Sequence, residues 1–107
     1  MQKLGEFELL VLLSILRQEE AFANRVREDL LENAGRRVTR GALYRTLDRL
    51  TEKGLLKWEL ESTAAPERGG HPMRRLRVTE RGLDSVRQAR EVLVTYFEGV
   101  GALLDGV

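Results

Sequence analysis

Thr39-Arg40-Gly41-Ala42-Leu43-Tyr44-Arg45-Thr46-Leu47-Asp48-Arg49-Leu50-Thr51-Glu52-Lys53-Gly54 is the stretch whose reading decides the fold. Leu43, Leu47 and Leu50 recur at i, i+4 and i+7, so on a helix they form one buried stripe. Thr39 is a good N-cap, since its hydroxyl can accept from an otherwise orphaned backbone N–H of the first turn. Gly54 ends the run. The opposite face carries Arg40, Tyr44, Arg45, Asp48 and Arg49, a basic outer surface on a helix held from behind by leucines.

Upstream, a helix is predicted from Ala21 or Phe22 to Asn33, with Val26, Leu30 and Leu31 as its core face. Gly35 stands where a left-handed terminator belongs, and Arg36 and Arg37 occupy the turn that follows. Two helices joined by a short turn, the second basic outside, make a helix-turn-helix pattern. Further upstream, Gly5–Gln18 reads as a helix that is apolar nearly all round. Phe7, Leu10, Val11 and Ile15 form one stripe, and Leu9, Leu12, Leu13 and Leu16 a second. Such a helix has no face left for water. One stripe is expected to pack on the domain and the other on a partner.

Downstream, Leu55–Glu61 and Met73–Val78 alternate as strands. Ser62–Pro72, with Gly69-Gly70, forms a loop too long for a two-residue hairpin and is expected to be mobile at its tip. A hairpin with a basic loop behind a recognition-type helix is a wing. Trp58 reads as a core or hinge residue of that wing. Thr79 then caps a final helix running towards Leu104, striped by Leu83, Val86, Leu93, Tyr96, Phe97, Val100, Leu103 and Leu104. A helix of about 25 residues spans roughly 37 Å, more than so small a domain can cover, and a symmetric second copy is the economical cover. Gly99 and Gly101 lower helix propensity, so fraying is expected beyond Gly99. The fold class is therefore mainly α with a small β-hairpin. It comprises a winged helix-turn-helix domain over residues 1–78 and a long C-terminal dimerisation helix over 79–107. The expected dimer interface is Leu9, Leu12, Leu13, Leu16, Val86, Leu93, Tyr96, Phe97 and Val100.

Composition excludes several classes of function. The 107 residues contain no cysteine and one histidine, His71, so disulfides, thiolate metal sites and histidine clusters are out, and no metal or cofactor is called for. No convergent nucleophile, base and orienter suggests an enzyme. There is no apolar run long enough to span a membrane, and the N-terminus carries acids where a signal peptide needs a basic and then an apolar stretch. A cytoplasmic location is expected. The net charge of +1 says little, but its distribution says more. Residues 1–35 sum to −3, residues 36–75 to +5 and residues 76–107 to −1. Positive charge gathered in the middle third suits one DNA-facing surface, although a solvated charged face would look the same.

Four segments in order resemble the PadR-like transcriptional regulators. They are Leu4-Gly5-Glu6-Phe7-Glu8-Leu9-Leu10-Val11-Leu12-Leu13, Gly41-Ala42-Leu43-Tyr44-Arg45-Thr46-Leu47-Asp48-Arg49-Leu50, Glu52-Lys53-Gly54-Leu55 and Pro66-Glu67-Arg68-Gly69-Gly70. The resemblance covers about Leu4 to Leu83. It implies a winged helix-turn-helix dimer binding palindromic operator DNA, usually as a repressor, with the C-terminal helix packed on the partner's first helix. The short C-terminal region is similar to the subgroup with one dimerisation helix and no separate ligand domain. The chain departs from the family pattern at Ala21-Phe22-Ala23-Asn24, at Arg75-Leu76-Arg77-Val78-Thr79 and at Pro72.

On this reading Arg40, Tyr44 and Arg45 lie in or beside the major groove. Arg40 sits in the first turn, where recognition helices reach base edges, and an arginine there can donate bidentately to guanine. Tyr44 could offer its hydroxyl to a phosphate or pack its ring on the second helix, and the resemblance favours the phosphate. Arg36, Arg37 and Thr39 stand at the helix entry, where backbone N–H groups favour a phosphate. Arg49 extends the basic face. Arg68, Arg74 and, with less weight, His71 would reach a phosphate or the minor groove from the wing. A small-molecule effector would bind at the dimer interface, though no residue identifies one. The rival to double-stranded DNA is a protein partner bound by the same helices.

Overall fold

The computed structural model describes residues 3–61 and 73–106, arranged as α1 (Glu6–Leu16), β1 (Ala21–Phe22), α2 (Ala23–Ala34), α3 (Arg40–Glu52), β2 (Leu56–Glu61), β3 (Met73–Val78), α4 (Glu80–Glu98) and α5 (Gly101–Leu104). The predicted loop, with Gly69-Gly70, Arg68, His71 and Pro72, lies outside the described residues. Helices dominate, and the strands form one antiparallel sheet in the order β1-β3-β2. In the hairpin Leu56 pairs with Val78, Trp58 with Leu76 and Leu60 with Arg74. That register puts those six side chains on one face, with Leu56 and Leu76 buried in the core.

β1 was not expected. Ala21 and Phe22, read as the start of the second helix, instead pair with Leu76 and Arg75 of β3. Two residues carry no strand signal of their own, and the open edge of β3 supplies it. Phe22 then serves as the extended N-cap of α2.

The core comprises Val11, Leu12 and Ile15 of α1, Val26 and Leu30 of α2, Leu43, Leu47 and Leu50 of α3, and Leu55, Leu56 and Leu76 around the sheet. Leu12 corrects the sequence reading. It was assigned to the dimer stripe, yet it is 0% exposed within its own protomer. Helix α1 packs against α2, β3 and α4 at once, so Glu8, Val11, Leu12 and Ile15, at i, i+3, i+4 and i+7, form its true buried stripe. Leu13 and Leu16 stay exposed, and Leu9 is half-buried.

Helix α4 begins under tight constraint. The Thr79 hydroxyl accepts from the Gly82 N–H at 3.1 Å and donates to the Gly54 carbonyl at 2.7 Å. A Cβ on Gly82 would lie 2.3 Å from the Leu55 carbonyl oxygen, so only glycine permits this approach. Val86 is half-buried against the core, but every residue from Arg90 to Val100 is exposed. The overhang stretches the protomer to 54 × 30 × 23 Å, with a radius of gyration of 15.9 Å, against about 13 Å for a compact chain of this length. The helix stops at Glu98 rather than running on to Leu104. Gly99 and Val100 break it, and the chain resumes as the short α5.

Candidate nucleic-acid interface

The turn between α2 and α3 is built from local constraints. Gly35 takes φ 63°, the left-handed conformation expected of it, and the Arg36 N–H reaches back to the Leu30 carbonyl at 3.0 Å. Arg27, which the sequence reading passed over, braces the turn by donating its Nε–H to the Val38 carbonyl at 3.0 Å. Thr39 caps α3, its hydroxyl oxygen accepting from the Ala42 N–H at 3.1 Å. Gly54, at φ 77°, ends the element.

With Leu43, Thr46, Leu47 and Leu50 buried, α3 turns Arg40, Gly41, Arg45, Asp48, Arg49 and Glu52 outward. Arg45 sits near the middle of this face. Neither its side chain nor that of Arg37 makes a hydrogen bond or ion pair among the described residues. Gly41 has open space above it, with nothing within 4 Å of a built Cβ. Arg36 is paired with Glu6 of α1. Such an exposed pair is worth only about 0–1 kcal/mol, so a phosphate can recruit the guanidinium at little cost.

The far end of α3 is anchored by a buried acid. Glu8 of α1 accepts from Lys53 Nζ at 2.9 and 3.0 Å and from the Gly5 N–H at 2.9 Å, with Arg49 3.9 Å away. Burial alone would raise its carboxyl. The Gly5 N–H, the Lys53 ammonium and the Arg49 charge outweigh burial and hold it below its ordinary value. Sequence periodicity had marked the leucines of α1 and passed over this acid.

Arg74 stands apart from the other cationic candidates. Its guanidinium lies 4.5 Å from the Tyr44 ring centroid and 4.1 Å from that of Trp58. Its Nη1 donates to Asp48 Oδ1 at 3.0 Å. The side chain is 21% exposed. A partly desolvated cation–π contact is worth about 1–2 kcal/mol, so these contacts hold the side chain against its own protomer. The alternation of β3 carried the signal, because Arg74 shares its sheet face with Leu76 and Val78. Tyr44 is half-buried between Arg74 and Arg40, whose guanidinium is 5.5 Å from its ring.

A capped helix-turn-helix whose second helix presents arginines outward, followed by a hairpin packed at its side, defines the winged helix-turn-helix class. The profile of the transcriptional regulator PadR-like family matches residues 12–88, and the chain belongs to that family. Solved structures agree. A PadR-like transcription factor from Bacteroides fragilis is 29% identical, with a TM-score of 0.74 over 92% of this chain and 90% of that one. A PadR family regulator from Eggerthella lenta is 26% identical, with a TM-score of 0.68 over 94% and 85%. A PadR family regulator from Clostridium difficile shares the fold at 16% identity, with a TM-score of 0.77 over 94% and 99%. No curated protein matches the sequence. The protein is a DNA-binding transcriptional regulator. Among the described residues no helix is long and apolar enough to cross a membrane.

Proposed function

We propose that the protein is a homodimeric repressor that occupies an inverted-repeat operator and blocks transcription by its presence there. The observation that carries this reading is the apolar overhang of α4 and the turn after it, where Leu93, Tyr96, Phe97 and Val100 are all exposed. Single exposed apolar residues are ordinary, but a contiguous stripe of this kind marks an interaction surface. Leu13 and Leu16 on α1 add a second exposed apolar strip. Pairing α4 with α1 of a twofold-related copy satisfies both strips with one self-complementary interface.

Such a dimer offers two α3 helices to successive major grooves, about 34–36 Å apart. In each, Arg40 and Arg45 read base edges. Arg36, Arg37, Thr39, Arg49 and the Tyr44 hydroxyl bind phosphate, and Arg68 reaches a neighbouring phosphate from the wing. Phosphate contacts set the register and base contacts set the sequence. The N-terminal wing domain and the C-terminal helix then divide the labour between reading DNA and joining copies.

Selection of bound duplexes from a random pool tests the proposal. An enriched inverted repeat with half-sites one helical turn apart is expected. A pool with no enriched sequence, and binding that does not weaken with salt, would indicate a protein partner instead, because each contacted phosphate releases counterions. Reporter expression falling when the selected repeat overlaps a promoter distinguishes repression from activation.

A further inference from the structure

We infer that Arg74 is a positioning residue for DNA recognition, a strut that locks the wing to the recognition helix and masks an acid on the DNA-facing surface. The inference rests on the reading that α3 enters the duplex. Three elements meet at this one guanidinium. Trp58 comes from β2, Arg74 from β3, and Tyr44 and Asp48 from α3, at 4.1 Å, 4.5 Å and 3.0 Å from it. Trp58 and Arg74 are diagonal neighbours on the core-side face of the hairpin, since Trp58 pairs with Leu76 and Leu60 with Arg74. The arginine therefore points at α3 rather than out along the wing.

Two consequences follow for binding. A planar cation held between two rings and paired to Asp48 fixes the angle between hairpin and helix, so both reach the duplex already oriented. It also fixes the ring of Tyr44, and with it the direction of the phenol hydroxyl. Asp48 is more than half exposed on the outward face of α3, where an unpaired carboxylate would repel the phosphates. Arg74 cancels that charge. The rings of Tyr44 and Trp58 and the carboxylate of Asp48 already engage its guanidinium, so swinging it out onto a phosphate would mean giving up these partners.

The salt dependence of operator binding separates a strut from a direct contact. Removing a residue that neutralises a phosphate lowers the slope of log affinity against log salt by about 0.9. Arg74→Ala is expected to weaken binding about tenfold or more with the slope unchanged, whereas Arg37→Ala, which removes a phosphate contact, lowers the slope. Adding Asp48→Asn to Arg74→Ala should restore part of the loss by removing the unmasked charge. Arg74→Lys keeps a charge that could reach a phosphate but loses the planar stack, so it should remain weak. Trp58 is the only tryptophan, and its emission in the free protein should change in Arg74→Ala with the helical circular dichroism retained. A slope reduced as in Arg37→Ala, full affinity in Arg74→Lys, or no gain from Asp48→Asn would overturn the strut. If the wild type binds no DNA, the reading of α3 fails instead, and the Trp58 emission still decides whether the stack exists.

Discussion

The outer faces of α3 and α4 are both left uncovered by the protomer, and they are chemically opposite. The outer face of α3 shows arginines at 40, 45 and 49, while the outer half of α4 shows Leu93, Tyr96 and Phe97, with Val100 just beyond its end. Helix α3 buries its other face in the core, whereas α4 is held there only through its first turns, around Gly82, Ser85 and Val86. The difference shows that exposure alone does not define a function; the chemistry of the exposed face selects the partner. A cationic face suits a polyanion, whose counterions it displaces. An apolar face gains only by leaving water, and a second copy offers the matching surface.

The sharpest way to break this contrast is to give the apolar face a charge. Leu93→Asp combined with Phe97→Asp is expected to remove at least about 4 kcal/mol of association free energy, on the order of a thousandfold in the dimer dissociation constant. Sedimentation should then show monomers at micromolar concentration, with operator affinity lost because the half-sites are no longer linked. Folded dimers from this variant would rule out α4 as the interface.

The matching change on α3 should leave assembly alone. Arg45→Ala is expected to cost about 1–3 kcal/mol in operator binding, with the dimer intact by sedimentation. A titration in which this variant binds like wild type would remove Arg45 from the readout.

A third prediction concerns the anchor between the two regions. The Glu8 carboxyl has a folded value below its ordinary 4.5, so its stabilisation is complete above that ordinary value. It is lost as pH falls through the lower folded value. Glu8→Gln should cost about 1–2 kcal/mol at neutral pH. The gap from wild type in thermal denaturation should close in acid, whereas a gap constant from pH 7 to pH 3 would contradict the Lys53 pairing.

The smallest effect is expected at Gly41. Nothing meets a Cβ there, so Gly41→Ala should stabilise α3 by up to about 1 kcal/mol. The melting temperature of the free protein checks this directly. A lower melting temperature would mean that the first turn of α3 has less room than its open surroundings indicate.

Much of the framework was legible because it depends on local rules. Thr39 and Thr79 cap α3 and α4, Gly35 and Gly54 end α2 and α3, and β3 spans the six residues its alternation marked. Leu43, Leu47 and Leu50 lie in the core as their spacing required. What escaped depended on neighbours distant in sequence. Ala21 and Phe22 became a strand because β3 lies beside them. Leu12 moved from an expected interface into the core because α1 is covered on several sides. Arg74 read as a wing cation and proved to be the filling between Tyr44 and Trp58.

Periodicity, caps and glycines by themselves determined which segments are helices and strands, where they end and which residues can face a core. These properties follow from backbone geometry and from interactions spanning a few residues. Only the tertiary structure decided which apolar faces the protomer covers and which arginines remain unpaired. It also decided that Glu8 anchors the recognition helix to α1. These are questions of which surfaces meet, and burial and charge pairing are settled by packing between elements that the linear pattern leaves independent.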